Sequence, residues 1–317
     1  MKKKRILISS AGTAAGWHVA KIISENFSKE FDIITSDTNP SHLVPASIFA
    51  KHHLQVPLVK AKGYREQMLK HFEKNNINIV IPFIDSEVFM FPADDLDLQK
   101  IGVKSISLPQ HSVEIACNKK KLYDYLLNKQ LTVPKVFRHH SQLKNNMEYF
   151  VKPIDGYGSI NTKKTNYKEV KIYIDNPNYI VTECLSNPEI TIEVFNYKKR
   201  VETLSRQRIE TRNGVCTKAK LWVDSELNDL ANNLCTVLDL PTAFCFQVMK
   251  NAHNKWTITD INPRLGGGAS MSTTYGWSHT AALISTFTQS TMDPFSYLKS
   301  RNKAIYINRV YQDIIMQ

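Results

Sequence analysis

The chain has 317 residues, 42% hydrophobic and 22% charged, which is long for one compact core and suits a globular protein of two or three packed subdomains. No apolar run approaches the roughly 20 residues of a membrane span, which argues against a membrane-spanning helix. Forty-one basic against 29 acidic residues leave a net charge of +12; this favours polyanionic ligands, but the lysines are spread without an arginine-rich arm or a nucleic-acid motif, so nucleic acid is not the expected partner.

The stretch Met1 to Ser10 carries the positive charge of a secretory n-region, but its apolar run is too short for one. Arg5 to Ser10 reads instead as a buried β-strand. Ala11-Gly12-Thr13-Ala14-Ala15-Gly16 follows, then an amphipathic helix to about Phe27 and a strand from Phe31 to Ser36 ending in Asp37-Thr38-Asn39-Pro40. Strand, glycine turn, helix and strand open a parallel α/β domain. Gly12 and Gly16 do not fit G-x-G-x-x-G. The helix N-terminus there could bind an anionic group, or the glycines could serve a tight turn only. Tyr64 to Asn75 is a helix, and Ile77 to Phe83 a strand running into Ile84-Asp85-Ser86-Glu87. Ligands of open α/β sheets bind at such strand ends, although carboxylates there are also commonly just solvated.

Near Leu108-Pro109 the pattern changes. Asn118-Lys119-Lys120-Lys121 opens a helix to about Lys129, closed by Leu131-Thr132-Val133-Pro134. A strand ending in Lys152 then meets the turn Pro153-Ile154-Asp155-Gly156-Tyr157-Gly158-Ser159 and a second strand. It is not a Walker A loop, because no G-K-[ST] follows and no helix starts. Glycines of this kind let backbone N–H groups face phosphate oxygens, while the lysine supplies a point charge. Tyr179 to Leu185 and Ile190 to Phe195 are strands on either side of Ser186-Asn187-Pro188-Glu189. From Arg206 to Gly214 cations alternate along a strand; same-side arginines suit phosphate or carboxylate, and a polar outer face is the other reason for such alternation. Lys218 lies shortly beyond. Asp224 to Leu238 is a helix whose Leu227, Leu230, Leu234 and Leu238 form a core stripe.

Phe244 to Gly268 reads as two strands joined by the polar turn Asn251-Ala252-His253-Asn254-Lys255. Side chains alternate faces along a strand, so Gln247 shares a face with Cys245 and Met249, and Asp260 with Asn262. An amide and a carboxylate–amide pair brought together in this way are hard oxygen ligands that suit Mg²⁺ shared with phosphates. Arg264 puts a fixed cation beside them, and Gly266-Gly267-Gly268 lets backbone approach closely. Ala281 to Phe287 starts another helix, and the tail from Ala304 reads as a final strand. Cys117, Cys184, Cys216, Cys235 and Cys245 are scattered without C-x-x-C spacing, as in a cytoplasmic protein with reduced thiols.

Asp260-Ile261-Asn262-Pro263-Arg264, after a strand carrying Gln247, resembles the metal-binding strand pair of ATP-grasp ligases. The family has Glu-x-Asn-Pro-Arg, so Asp260 is one methylene shorter than usual. The glycine turn after Lys152 resembles the family's lid. Asn118-Lys119 is similar to its Asp-Lys helix start, with Asn for Asp. Val56-Pro57 and Ile81 to Glu87 are similar to the N-terminal domain of carbamoyl-phosphate-synthase-like members. The resemblance covers nearly the whole chain and implies an ATP-grasp fold, mixed α/β and α+β. Its parts would be a parallel α/β domain at 1–110 contributing to the acceptor site, a lid subdomain at 111–185, and an antiparallel-sheet domain with the metal site at 186–317. ATP and Mg²⁺ (or Mn²⁺) are the implied cofactors, with the metal at Gln247, Asp260 and Asn262. The nucleotide would meet Lys119, Lys152, Gly156, Gly158 and Ser159, main-chain groups of Glu183-Cys184-Leu185 at the adenine, and Glu189 at the ribose. Arg264, Asn262, Lys218 and Arg206 are the candidate catalytic set. The implied reaction joins a carboxylate to an amine through an acyl phosphate, releasing ADP and phosphate. Its partners would be small molecules, with an acidic substrate one explanation of the +12 charge, and a homodimer is a compatible assembly. A small-molecule kinase of the same fold and a nucleotide-binding protein without catalysis are the competing readings.

Overall fold

The computed structural model describes residues 2–155, 161–212 and 214–316. The chain opens with β1 (Lys4–Ile8), α1 (Ala14–Asn26), β2 (Phe31–Asp37), β3 (His52–Gln55), α2 (Tyr64–Lys74), β4 (Ile79–Ile81), α3 (Asp85–Met90), α4 (Leu96–Lys100) and β5 (Lys104–Ser105). The five strands form one sheet in the order β3-β2-β1-β4-β5, every pair parallel. A parallel strand at the centre of such a sheet is buried on both faces and reads as a continuous apolar run. In β1 this is literal: Ile6 and Ile8 enter one core and Leu7 another. Thr13 caps α1 by accepting from the Gly16 amide at 3.0 Å. A Cβ on Gly16 would stand 2.8 Å from the Ala11 backbone, so the residue is glycine because helix and strand approach closely.

Two helices, α5 (Gln110–Ala116) and α6 (Lys119–Asn128), lead to a small antiparallel sheet. It contains β6 (Val136–Phe137), β7 (Tyr149–Pro153), β8 (Lys163–Thr165) and, after α7 (Tyr167–Ile174), β9 (Tyr179–Glu183), in the order β6-β9-β7-β8. Its core of Phe137, Leu143, Tyr149, Val151, Val170 and Val181 is a cluster of its own.

The rest is a six-stranded antiparallel sheet: β10 (Ser186–Tyr197), β11 (Arg200–Arg212), β12 (Val215–Trp222), β13 (Ala243–Lys250), β14 (Trp256–Asn262) and β15 (Ile305–Asn308), in the order β14-β13-β10-β11-β12-β15. Helix α8 (Ser225–Val237) joins β12 to β13, while α9 (Ala269–Tyr275) and α10 (His279–Ser285) separate β14 from β15. Asp224 caps α8 through the Leu227 amide at 3.2 Å. Leu227, Ala231 and Leu234 are its buried stripe and share a core with Ile192, Phe244 and Phe246; of the other expected leucines, Leu238 is buried in that core and Leu230 packs half-buried against it. Each buried leucine contributes about 1.5–3 kcal/mol. On the opposite face Phe195, Leu204 and Leu221 share one continuous core with β1, α1 and α10. The polar end of this same face, beyond that core, carries Glu193, Arg206, Gln247, Asp260 and Asn262. Among the described residues no helix is long and apolar enough to cross a membrane.

Candidate active site

The β13–β14 hairpin places Gln247 directly opposite Asp260 and Cys245 opposite Asn262. The register slips between Gln247 and Val248, leaving Thr259 as a bulged residue. The bulge has a use, because its carbonyl accepts from Tyr123 Oη at 2.7 Å and from Lys152 Nζ at 3.0 Å. Lys152 reaches there from the end of β7 and also donates to Tyr123 Oη at 2.5 Å. Burial pushes its ammonium down to about 8, Lys119 adds to the fall, and Asp260 and Glu189 oppose it. Lys119 is the first residue of α6, whose cap is Asn118 accepting from the Lys121 amide. Its Nζ lies 3.7 Å from Asp260 Oδ1. Burial raises the Asp260 carboxyl, while Lys119 and Lys152 draw it back.

Around these groups is a cleft of about 300 Å³ between the four-stranded and six-stranded sheets. Lys119, Lys152, Glu183, Cys184, Leu185, Glu189, Gln247 and Asp260 all line it. Glu183 fixes its corner by accepting from the Lys135 amide at 2.9 Å. Glu189 takes Arg208 Nη1 at 2.6 Å. Gly156, Gly158 and Ser159 lie outside the described residues. Cys184 does not offer a thiolate, since burial raises its thiol.

A second cleft, of about 1200 Å³, lies off the C-terminal ends of β1, β2 and β4. The strand order reverses between β1 and β4, which is where open α/β sheets form a crevice. Ser10, Asp37, Tyr64, Asp85 and Glu87 line this cleft, and Asp155 lines both clefts. Glu87 accepts from Ser9, Ser10 and Tyr64 at 2.6, 3.1 and 2.9 Å, and burial raises its carboxyl. Arg264 holds the two regions together. Its Nε donates to Asp85 Oδ1 at 2.8 Å, and its Nη2 lies 3.4 Å from Asn262 Oδ1.

No member of the expected catalytic set is itself a wall of either cleft: Arg264 and Asn262 stand beside Asp85 and Asp260, which are, and the other two stand further off. Lys218 is half exposed on β12, ion-paired to Glu210 at 2.9 Å, and lines neither cleft. Arg206 is buried beneath the 264–268 loop, paired to Glu193. Alternation correctly put Arg206 and Arg208 on one face but did not say which of them the loop would cover. Tyr123, Thr259 and the reach of Asp85 to Arg264 had no local signal, since each depends on a distant element.

Asp260, Gln247 and Asn262 present one carboxylate and two amides on a single face, a donor set that fits a hard cation completed by phosphate and water. Among the described residues no three His, Cys, Asp or Glu side chains could hold a metal by themselves.

Residues 6–106 match the family described as PylC-like, N-terminal domain, and residues 116–268 match the ATP-grasp domain family. No curated protein sequence matches the chain. Among solved structures it is similar to N5-carboxyaminoimidazole synthetase from Staphylococcus aureus complexed with ADP. That pair has 14% identity and a TM-score of 0.68 over 88% of this chain and 76% of the other. It is also similar to the L-amino acid ligase from Bacillus licheniformis, with 13% identity and a TM-score of 0.70 over 90% and 74%. The biotin carboxylase domain of Hydrogenobacter thermophilus 2-oxoglutarate carboxylase, in complex with MgADP, ADP and bicarbonate, gives 10% identity and a TM-score of 0.73 over 96% and 74%. At such identities the likeness is one of fold. The protein is thus built from a PylC-like N-terminal domain followed by an ATP-grasp domain.

Proposed function

We propose that the protein is an ADP-forming ligase that activates a carboxylate with ATP and joins it to an amine. The observation that carries this reading is the junction of the two clefts. Asp155 is a wall of both, and the Arg264–Asp85 pair links the metal-type strand to the second cleft. A nucleotide held in the first would therefore have its phosphate end close to a substrate held in the second.

The nucleotide base lies against Cys184 and Leu185, the ribose at Glu189, and the phosphates at Lys119 and Lys152. A carboxylate oxygen attacks the γ-phosphorus, the P–O bond to the β-phosphate breaks, and ADP leaves with that electron pair. The amine, once its ammonium has given a proton to solvent, attacks the acyl carbon as the free base, the C–O bond to phosphate breaks, and the second proton lost by the nitrogen also passes to solvent. Lys119, Lys152 and Arg264 hold cationic charge against the oxygens where it accumulates, which is how a preorganised site lowers such a barrier. Mg²⁺ would be held by Asp260 with Gln247 and Asn262 and would supply charge neutralisation at the phosphates. The second cleft carries Asp37, Asp85, Glu87, Glu114 and Asp155 against Lys60 and Lys121. That wall favours a cationic amine over the acidic substrate that the net charge alone suggests.

The test is hydroxylamine trapping across a panel of carboxylates. With the right one, wild-type protein and ATP yield a hydroxamate and ADP without the natural amine. AMP and pyrophosphate would mean an adenylate and overturn the reading, and phosphate retained on a stable product would make it a kinase.

A further inference from the structure

Glu193, Arg206 and His279 form a buried cluster, built on the Arg206–Glu193 ion pair, that lines neither cleft. Glu193 and His279 are 0% exposed and Arg206 is 4% exposed. Arg206 Nη2 donates to Glu193 Oε1 at 2.9 Å. His279 Nε2 lies 3.4 Å from Glu193 Oε2, within ion-pair range but without hydrogen-bond geometry. Burial alone would raise the Glu193 carboxyl, but its neighbours His279 and Arg206 hold it below the usual carboxylate range. A buried ion pair contributes little net stability, because desolvation offsets the attraction. Its presence here calls for a role other than stability.

The 264–268 loop rests on this cluster. A Cβ on Gly268 would overlap the Arg206 guanidinium, and one on Gly266 would stand 2.8 Å from Cys245 Sγ and 3.8 Å from a Glu193 carboxylate oxygen. Neither glycine is among the described residues with positive φ, and Gly268 sits at φ −87°. The turn therefore does not demand glycine; the closeness of the floor does. Arg309 also grips the loop, donating to the Gly267 carbonyl at 2.7 Å and to Ser270 Oγ at 2.9 Å. Arg264 begins this loop and meets Asp85 at its tip.

We propose that Glu193, Arg206 and His279 are positioning residues: a buried floor, built on the Arg206–Glu193 ion pair, that sets the height of the 264–268 loop and so holds Arg264 against Asp85 at the junction of the clefts. The inference rests on the ligase reading for its kinetic consequence, and on contacts alone for its structural one. A guanidinium is flat and rigid where an ammonium is compact, so the floor needs arginine as a shape and not only as a charge.

The experiment compares Arg206→Lys, Gly268→Ala and the double variant. Arg206→Lys should bind MgADP within about twofold of wild type, while kcat for hydroxamate formation falls roughly tenfold to a hundredfold, as a displaced group costs. Gly268→Ala should show the same split. Lysine frees the volume that the new Cβ needs, so the double variant should lose no more than the worse single one. Additive losses, an unchanged kcat, or equal losses in MgADP affinity and kcat would overturn the floor. If Arg206→Lys does not fold, Gly268→Ala carries the same comparison without altering a charge. If wild-type protein forms no hydroxamate from any carboxylate, the ligase reading fails and the floor is judged by amide hydrogen exchange over 264–270. Faster exchange in the variant that folds supports it there, and unchanged exchange sinks it.

Discussion

Lys152 is a cation held where water hardly reaches it, 7% exposed and bonded, among the described residues, to neutral oxygens of Tyr123 and Thr259. Its ammonium titrates at about 8 instead of the ordinary 10.5. Between those values the unfolded chain binds a proton that the folded chain lacks, so this group makes stability rise with pH across that window. Below about 8 the charge is present and its burial cost is felt in full, until phosphate oxygens offset it. A fixed concentration of MgADP should therefore raise the melting temperature more at about pH 7 than at about pH 9. Lys152→Met should flatten that difference. An undiminished pH dependence in the variant would assign it to another group. Lys152 was legible in the sequence as a lysine ending a strand before a glycine turn. Lys218 had no such cue, only its place shortly beyond the arginine-bearing strand, and it lines neither cleft, because a lysine on a strand says nothing of which side its sheet turns to the ligand.

At the scale of elements, the β13–β14 hairpin was readable because a strand's period of two assigns faces by counting, and Gln247, Asp260 and Asn262 do share one. The Thr259 bulge was not, because T-I-T-D keeps the alternation that a bulge interrupts. Helices α3, α5 and α9 were likewise hidden, since six or seven residues offer less than two turns of periodicity. One result is that Asp85, which read as the end of a strand, opens a helix and meets an arginine 179 positions away. The hairpin makes its own prediction. Asp260→Asn keeps the shape and removes the only carboxylate of the donor set, so turnover should fall by roughly a hundredfold or more while the melting temperature holds. Gln247→Ala should cost about tenfold or less, because water replaces a neutral ligand. Steady-state ADP release measures both, and a wild-type rate for Asp260→Asn would put the metal elsewhere.

Across the whole molecule, the parallel sheet and the six-stranded sheet are joined by one core running from Ile6 and Val19 to Phe195 and Ala282. The four-stranded sheet has a small core of its own and reaches the core under α8 through Ile180. Hydrogen exchange should therefore show β1, α1, β10 and α10 opening together at one free energy, and β7 and β9 opening at a lower one. Independent opening of β1 and β10 would contradict a shared core. The sequence made the three sheets legible through their turn signals, but not which of them are joined, because that is decided by which apolar faces meet. The join also decides what can swing. The chain enters and leaves the small sheet through the short links 129–135 and 184–185, and beyond its own core it meets its neighbours through Ile180 and Lys152. A nucleotide gripped between it and the larger sheet acts as the latch of a hinged cover, since the ligand supplies contacts that the empty cleft lacks. Splitting one bound triphosphate into two separately held pieces weakens that latch, so the chemistry that consumes the nucleotide also times its departure.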